Sequence, residues 1–378
     1  MTQNNLPRSD KQHVVVAYYS TKWAAVPANN GGNAPTWQWG RELLTGFTMG
    51  TFATPPNSLH QTTNEDPFVS CLARSTDGGV TWRVREPEPY AGQGGCAIPA
   101  PGNVTFTDPG FVLRVEGNGY HGNHGARWFY SQDKGIRWQG PFNFGHLLEH
   151  PELAGMEFTG RTGYLVNGPD ELLLFLSARQ PFRGDALAVR LTDKPFLARM
   201  TDGGPTRDFA CEFISWIVSK DDPYRAVMPA PVRIADNEIV VALRRKSAEH
   251  NWIDVYHSTD NGRTWAFLAK VGDTEEDNQY NGNPPAMVQT HDGRLCCVYG
   301  NRSLRQMIAK FSSDGGASWG PPLVLRDDFA SVTGRPDLGY PRLLTRPDGK
   351  LVAVYFWCTA ERPQTHIEAT IFTSPSAA

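Results

Sequence analysis

The chain is poor in charge, in long apolar runs and in helical pattern. Its 378 residues hold 36 Lys and Arg against 39 Asp and Glu, a net charge of -3. With no basic excess, neither a nucleic-acid footprint nor a polybasic membrane patch is expected. No apolar run approaches the roughly 18 residues that would span a bilayer. The first residues, MTQNNLPRSDKQ, are polar, and the VVVAYY that follows is short for a signal-peptide core, so a cytoplasmic location is expected. Cysteine is sparse too. Cys71, Cys96, Cys211, Cys296, Cys297 and Cys358 show no CxxC spacing and read as buried, reduced thiols, not as a disulfide framework. HExxH, P-loop and dinucleotide fingerprints are missing, and the His121-x-x-His124 pair lacks further ligands at metal spacing. No metal or cofactor is therefore expected.

What the chain does have is turn formers and aromatics: 37 Gly, 29 Pro and 11 Trp. Four segments share the form Ser-x-Asp-x-Gly-x-x-Trp: Ser75 to Trp82, Ser131 to Trp138, Ser258 to Trp265 and Ser312 to Trp319. A fifth, Met200-Thr-Asp202-Gly-Gly204-Pro-Thr206, keeps only the Asp and the Gly. Successive starts lie about 54 to 69 residues apart, which suits one four-stranded sheet per repeat. Within each segment an Asp carboxylate accepts from backbone N–H groups of its own turn, and Gly supplies a positive φ. The Trp buries the hairpin against its sheet. These Asp residues are structural, not catalytic.

A second repeat lies between them. The segments from Asp170 to Arg179, Asp236 to Arg245, Asp292 to Arg302 and Asp348 to Tyr355 each pair a turn with a short apolar run. Each run reads as a strand buried on both faces near a central channel, and three of the four end in Arg. The expectation is a single domain over residues 1–378, with short flexible ends at about 1–11 and 374–378. It would be an all-β, six-bladed β-propeller of four-stranded antiparallel sheets.

The repeated turn is the Asp-box (BNR) repeat, and over nearly its whole length the chain resembles the sialidase superfamily. That resemblance implies three arginines on a sugar carboxylate, an Asp acid/base, and a Tyr nucleophile activated by a Glu. Guanidinium groups hold carboxylates through paired charge-assisted hydrogen bonds. A neutral Tyr attacks an anomeric carbon that bears a carboxylate without like-charge repulsion. Position by position, the resemblance puts Arg41 first on the carboxylate, with Asp66 as acid/base some two dozen residues later; Glu65 and His60 are alternatives. The second Arg is Arg244 or Arg245, with Arg245 preferred from the repeat count. The third is Arg302, with Arg305 in reserve. Tyr340, about 38 residues past Arg302, takes the nucleophile's place.

One element of the pattern is missing. The activating Glu belongs about 16 residues before the second Arg, but Tyr224-Arg225-Ala-Val-Met228-Pro229 has no carboxylate. An ordinary Tyr is neutral, with a pKa near 10, and a poor nucleophile. Glu157, Glu212, Asp221 and Asp222 have no supporting spacing. Polar stretches around His121, Arg161-Thr-Gly-Tyr164, Asn281-Gly-Asn283 and Arg335-Pro-Asp337 are further candidates for the mouth of the funnel.

Three functions remain open: a sialidase-like exo-glycosidase releasing a terminal acidic sugar, a lyase acting on a uronate-containing glycan, or a non-catalytic binding propeller. The arginine series with Tyr340 favours the hydrolase. The implied partner is an acidic oligosaccharide, with no nucleic acid or membrane. Oligomeric state is left open.

Overall fold

The computed structural model describes residues 11–25, 36–56, 58–63, 68–86, 96–100, 102–116, 126–180, 193–202, 209–276 and 278–375, with the backbone alone at 159–162. Those residues fold as a six-bladed β-propeller, with one 3-10 turn at Gly145–Glu149.

The first strand, β1 (Lys11–Ala17), belongs to the last blade. Blade 1 contains β2 (Lys22–Ala25), β3 (Thr36–Trp39), β4 (Glu42–Thr51), β5 (Val69–Ser75) and β6 (Arg83–Arg85). There β3 pairs with the first half of β4 and β2 with the second, so together they fill the innermost position. Blade 2 has β7 (Val112–Glu116), β8 (Arg127–Ser131) and β9 (Gln139–Phe142) among the described residues. Blade 3 runs outward through β10 (Glu157–Val166), β11 (Glu171–Arg179), β12 (Lys194–Thr201) and β13 (Ala210–Trp216). Blade 4 is β14 (Arg225–Ala235), β15 (Glu238–Lys246), β16 (Asn251–Ser258) and β17 (Ala266–Glu275). Blade 5 is β18 (Pro285–Gln289), β19 (Leu295–Asn301), β20 (Gln306–Ser312) and β21 (Leu323–Arg326). Blade 6 is β22 (Gly339–Thr345), β23 (Leu351–Trp357) and β24 (His366–Phe372), with β1 as its outer edge. The start of the chain thus closes the ring by antiparallel pairing with its end.

The apolar runs of the sequence are β11, β15, β19 and β23. They are second strands, one place out from the axis, and not the innermost ones. Apart from Glu171 and Glu238 at the starts of β11 and β15, each is buried because a neighbouring blade covers either face. The innermost strands are interrupted instead: register slips between Thr159 and Gly163, Val227 and Ala230, and Gly339 and Arg342. Such bulges re-aim side chains.

All four repeated turns form the same cage. In the first, Ser75 Oγ donates to Asp77 Oδ1 at 2.8 Å and accepts from the Gly79 N–H at 2.8 Å. Asp77 accepts from the Thr81 N–H at 2.9 Å and its hydroxyl at 2.6 Å. Burial pushes the Asp77, Asp133 and Asp260 carboxyls up, yet these donors outweigh it and hold each at about 2. At Asp314 the Ser318 donors lead, with the same outcome of about 2. The incomplete fifth copy behaves differently. Asp202 accepts from the Asn103 N–H at 2.9 Å and the Val104 N–H, tying blade 3 to the entry of blade 2.

Candidate active site

Strand direction decides which residues share a mouth. Innermost strands run away from one face of the ring, and second strands return to it. The starts of innermost strands, the ends of second strands and the loops after them therefore gather at that face. The repeated turns lie at the other. Tyr340 enters β22 at the first face; Arg179, Arg244 and Arg245 end second strands there, and Arg302 follows β19. Along the axis, a cavity of about 430 Å³ is lined by residues of the innermost strands, including Trp37, Tyr164, Met228 and Tyr340. Burial raises the Tyr164 phenol to about 12, so it is a neutral wall.

Tyr340 is 6% exposed and has φ +52. A left-handed backbone is costly for a bulky residue, more so before a proline, and such strain gathers at functional sites. Here it is held from behind. The Tyr340 N–H donates to Asn283 Oδ1 at 3.1 Å, and its ring packs on Phe356 with centroids 5.5 Å apart. Gly339, at φ +119, must be glycine, because a Cβ there would sit 1.8 Å from Asn283 Oδ1. In front, Arg244 Nη1 donates to the Tyr340 hydroxyl at 3.3 Å.

Met228 repeats this geometry. It too has positive φ, +61, precedes a proline and sits at a bulge. Its sulfur lies 3.8 Å from Arg244 Nη1. Met228 stands 16 residues before Arg244 (244 − 228), where the sialidase resemblance calls for the activating Glu. A thioether occupies the carboxylate's place.

Arg302 enters from blade 5. Buried to 3%, it donates to the Tyr280 carbonyl at 2.6 Å and reaches the Leu338 carbonyl at 3.5 Å, beneath the segment that carries Tyr340. From the β4–β5 loop, His60 Nδ1 meets Asp337 Oδ1 at 2.8 Å. Asp337 is wholly buried, and its other oxygen accepts from Trp23 Nε1 (3.0 Å), Thr365 Oγ1 (2.8 Å) and the Gln61 N–H (3.2 Å). Burial works against both charges. It is outweighed on Asp337 by His60 and the other donors, which hold the carboxyl below its ordinary value. It is outweighed on His60 by Asp337, which raises the imidazole above its own.

Several expectations change. Arg245 does not converge with Arg302: its Nη2 donates to both Asp222 oxygens, each at 2.9 Å, and its Nε lies 3.4 Å from Asp254. Its neighbour Arg244 is the one that reaches Tyr340. Arg41 is exposed in the turn between β3 and β4, donating to the Asp77 carbonyl. The Arg41 carbonyl accepts from the Gly78 N–H, and the Gly78 carbonyl accepts from Arg346, just past the far end of β22 and roughly 20 Å from Tyr340 at ~3.3 Å per residue. Arg41 therefore cannot bind at this mouth. Arg305 is exposed and bonded to the Gly334 carbonyl. Asn283 supports Tyr340 from below. Asp66, Glu65, His121 and His124 lie outside the described residues, as does the side chain of Arg161. Glu157, Glu212 and Asp222 are paired with Arg179, Arg199 and Arg245, so each has a partner of its own. The His60–Asp337 pair was not legible as a pair, since 277 residues separate the two. Among the described residues no group of three His, Cys, Asp or Glu is placed to hold a metal ion.

Residues 111–353 match the family described as BNR repeat-like domain. The chain belongs to this family. No curated protein matches the chain. Solved structures of the same BNR-type propeller do. A protein of unknown function from Dyadobacter fermentans superposes with a TM-score of 0.67 at 19% identity, covering 96% of this chain and 98% of that one. The α-L-arabinofuranosidase Arb93A of Fusarium graminearum gives 0.56 at 16% identity, with 95% and 96% covered. A Hadza microbial sialidase gives 0.54 at 14% identity, with 93% and 66% covered. At these identities the likeness carries the BNR propeller fold. The neighbours named for an activity are glycoside hydrolases.

Proposed function

We propose that the chain is a glycoside hydrolase that releases a terminal acidic sugar, sialic acid or a uronate, from a glycan. Tyr340 is the nucleophile, and Arg244 and Arg302 receive the carboxylate. The observation that carries this is the 3.3 Å hydrogen bond from Arg244 to the hydroxyl of a strained Tyr340 at the mouth of the ring. A guanidinium at that distance stabilises the phenolate over the phenol, which is what a Tyr nucleophile needs. The glycosidase neighbours support hydrolysis as the reaction class.

A second reading rests on Met228. With a thioether in place of the activating carboxylate, Tyr340 or His60 would instead remove the proton beside a uronate carboxylate, and the chain would be a lyase.

Mass spectrometry of products from a pool of sialylated and uronate-containing oligosaccharides separates the readings. Release of an intact acidic sugar with water added, lost in Tyr340→Phe, is the expected result. An unsaturated product assigns the lyase. No turnover in the pool would count against both and favour a binding propeller.

A further inference from the structure

We propose that the His60–Asp337 pair, and not a carboxylate beside the hydroxyl, is the base that takes the Tyr340 proton and then passes it to the leaving group. This rests on the reading of Tyr340 as nucleophile and supplies what Met228 cannot.

The geometry assigns each atom a task. Three donors occupy one oxygen of Asp337, and the other faces His60 Nδ1 at 2.8 Å. A buried carboxylate so held stays ionised and accepts, so Nδ1 carries the hydrogen and Nε2 is left as the acceptor. The His60 side chain is 37% exposed, whereas Asp337 is fully enclosed. The ring can therefore meet substrate while its anchor cannot. Asp337 is a positioning residue and His60 the catalytic one.

The groups facing His60 are Asp337 ahead of β22, Arg302 after β19, Tyr340 in β22, and the Trp23 ring of β2, edge-on with centroids 5.6 Å apart. Asp337 strengthens the imidazole as a base, and Arg302 opposes it less. Arg244 favours the phenolate. The Asp337 and Arg244 effects push the same proton from Tyr340 towards His60. In the first step the phenol proton passes to Nε2, directly or through a water. The phenolate oxygen bonds to the anomeric carbon, the bond to the leaving oxygen breaks, and the imidazolium protonates that oxygen. In the second step the neutral imidazole takes a proton from water, the hydroxide oxygen bonds to the anomeric carbon, and the phenolate leaves. The imidazolium then returns its proton to the phenolate, so that protons and charges are back in their starting state.

The test uses the full chain with umbelliferyl sialoside and umbelliferyl glucuronide as probes, and follows imidazole titration by nitrogen-resolved NMR. His60 is identified by the signal missing in His60→Gln. The wild-type His60 should titrate above the ordinary 6.5, and its titration should move down in Asp337→Asn. The acidic limb of the kcat/KM profile should follow that value. His60→Gln should lose the limb and on the order of 10²–10⁴-fold in kcat with little change in KM. A wild-type His60 that titrates at or below 6.5, or a His60→Gln enzyme that keeps the limb, overturns the pair as base. An unfolded Asp337→Asn leaves the His60→Gln arm decisive. Tyr340→Phe as active as wild type sinks the nucleophile reading itself, whatever His60 does.

Discussion

Arg244 and Arg245 are adjacent in sequence and end on opposite faces of β15. Arg244 shares its face with Ala242 and Val240, which pack towards blade 5. Arg245 shares its face with Leu243 and Val241, which pack towards blade 3. Because both faces are apolar and buried, the sequence had no alternation with which to choose between them. Tyr340 and Asn283 were legible, since turn residues and spacing marked them. His60 and Asp337 were visible only as separate polar stretches. The two arginines should part in mutagenesis. Arg244→Ala is expected to lower kcat/KM on the order of 10²–10³-fold with little loss of stability. Arg245→Ala leaves Asp222 and Asp254 without their cation and should cost about 3 kcal/mol of folding stability. Denaturant titration beside initial-rate measurements reads both. Arg244→Ala with unchanged kcat/KM would remove it from the site.

At the scale of the element, the repeated turns were readable to the atom because their hydrogen bonds are local. Each Trp is then committed to a partner the sequence could not name. Trp265 lies edge-on to Phe175 of blade 3, and Trp138 packs with Leu44 and Leu72 of blade 1. The turn therefore joins a blade to the one before it as well as bending a hairpin. Ser258→Ala removes the acceptor of the buried Gly262 N–H and one donor to Asp260, and should cost about 1–3 kcal/mol in chemical denaturation. Its midpoint unchanged from wild type would show that the cage does not stabilise the blade. The sequence placed the second-strand runs near the channel but could not give their order from the axis, for a related reason. Burial on both faces looks the same whether a strand is next to the axis or one place out, and the true innermost strands are broken by Pro and bulges.

At the scale of the whole molecule, six apolar cores among the described residues alternate with six blades. One holds Val16, Phe47, Val352 and Ile371 between blades 6 and 1, across the seam where the chain's ends meet. The number of blades followed from the repeat spacing. The seam did not, because pairing of β1 with β24 joins residues more than 350 apart, such as Lys11 and Phe372. Val15→Pro fixes φ and removes a backbone N–H in this edge strand, where Val15 pairs with Glu368, and should destabilise the ring by about 1–3 kcal/mol. Thermal denaturation checks it, and no change would mean that the inter-blade core alone holds the seam.

A propeller closed in this way sets Tyr340, Arg244, Arg302 and His60 from four blades around one mouth, and the central claim is that Tyr340 bonds to sugar there. The direct measurement is intact-protein and peptide mass spectrometry after incubation with fluorinated, activated sialosyl and uronosyl analogues, which slow release of a glycosyl-enzyme. A single sugar mass on the peptide containing Tyr340, absent in Tyr340→Phe, is the expected result. A sugar bound to another side chain, or turnover of the analogues to unsaturated product with no adduct, would contradict it.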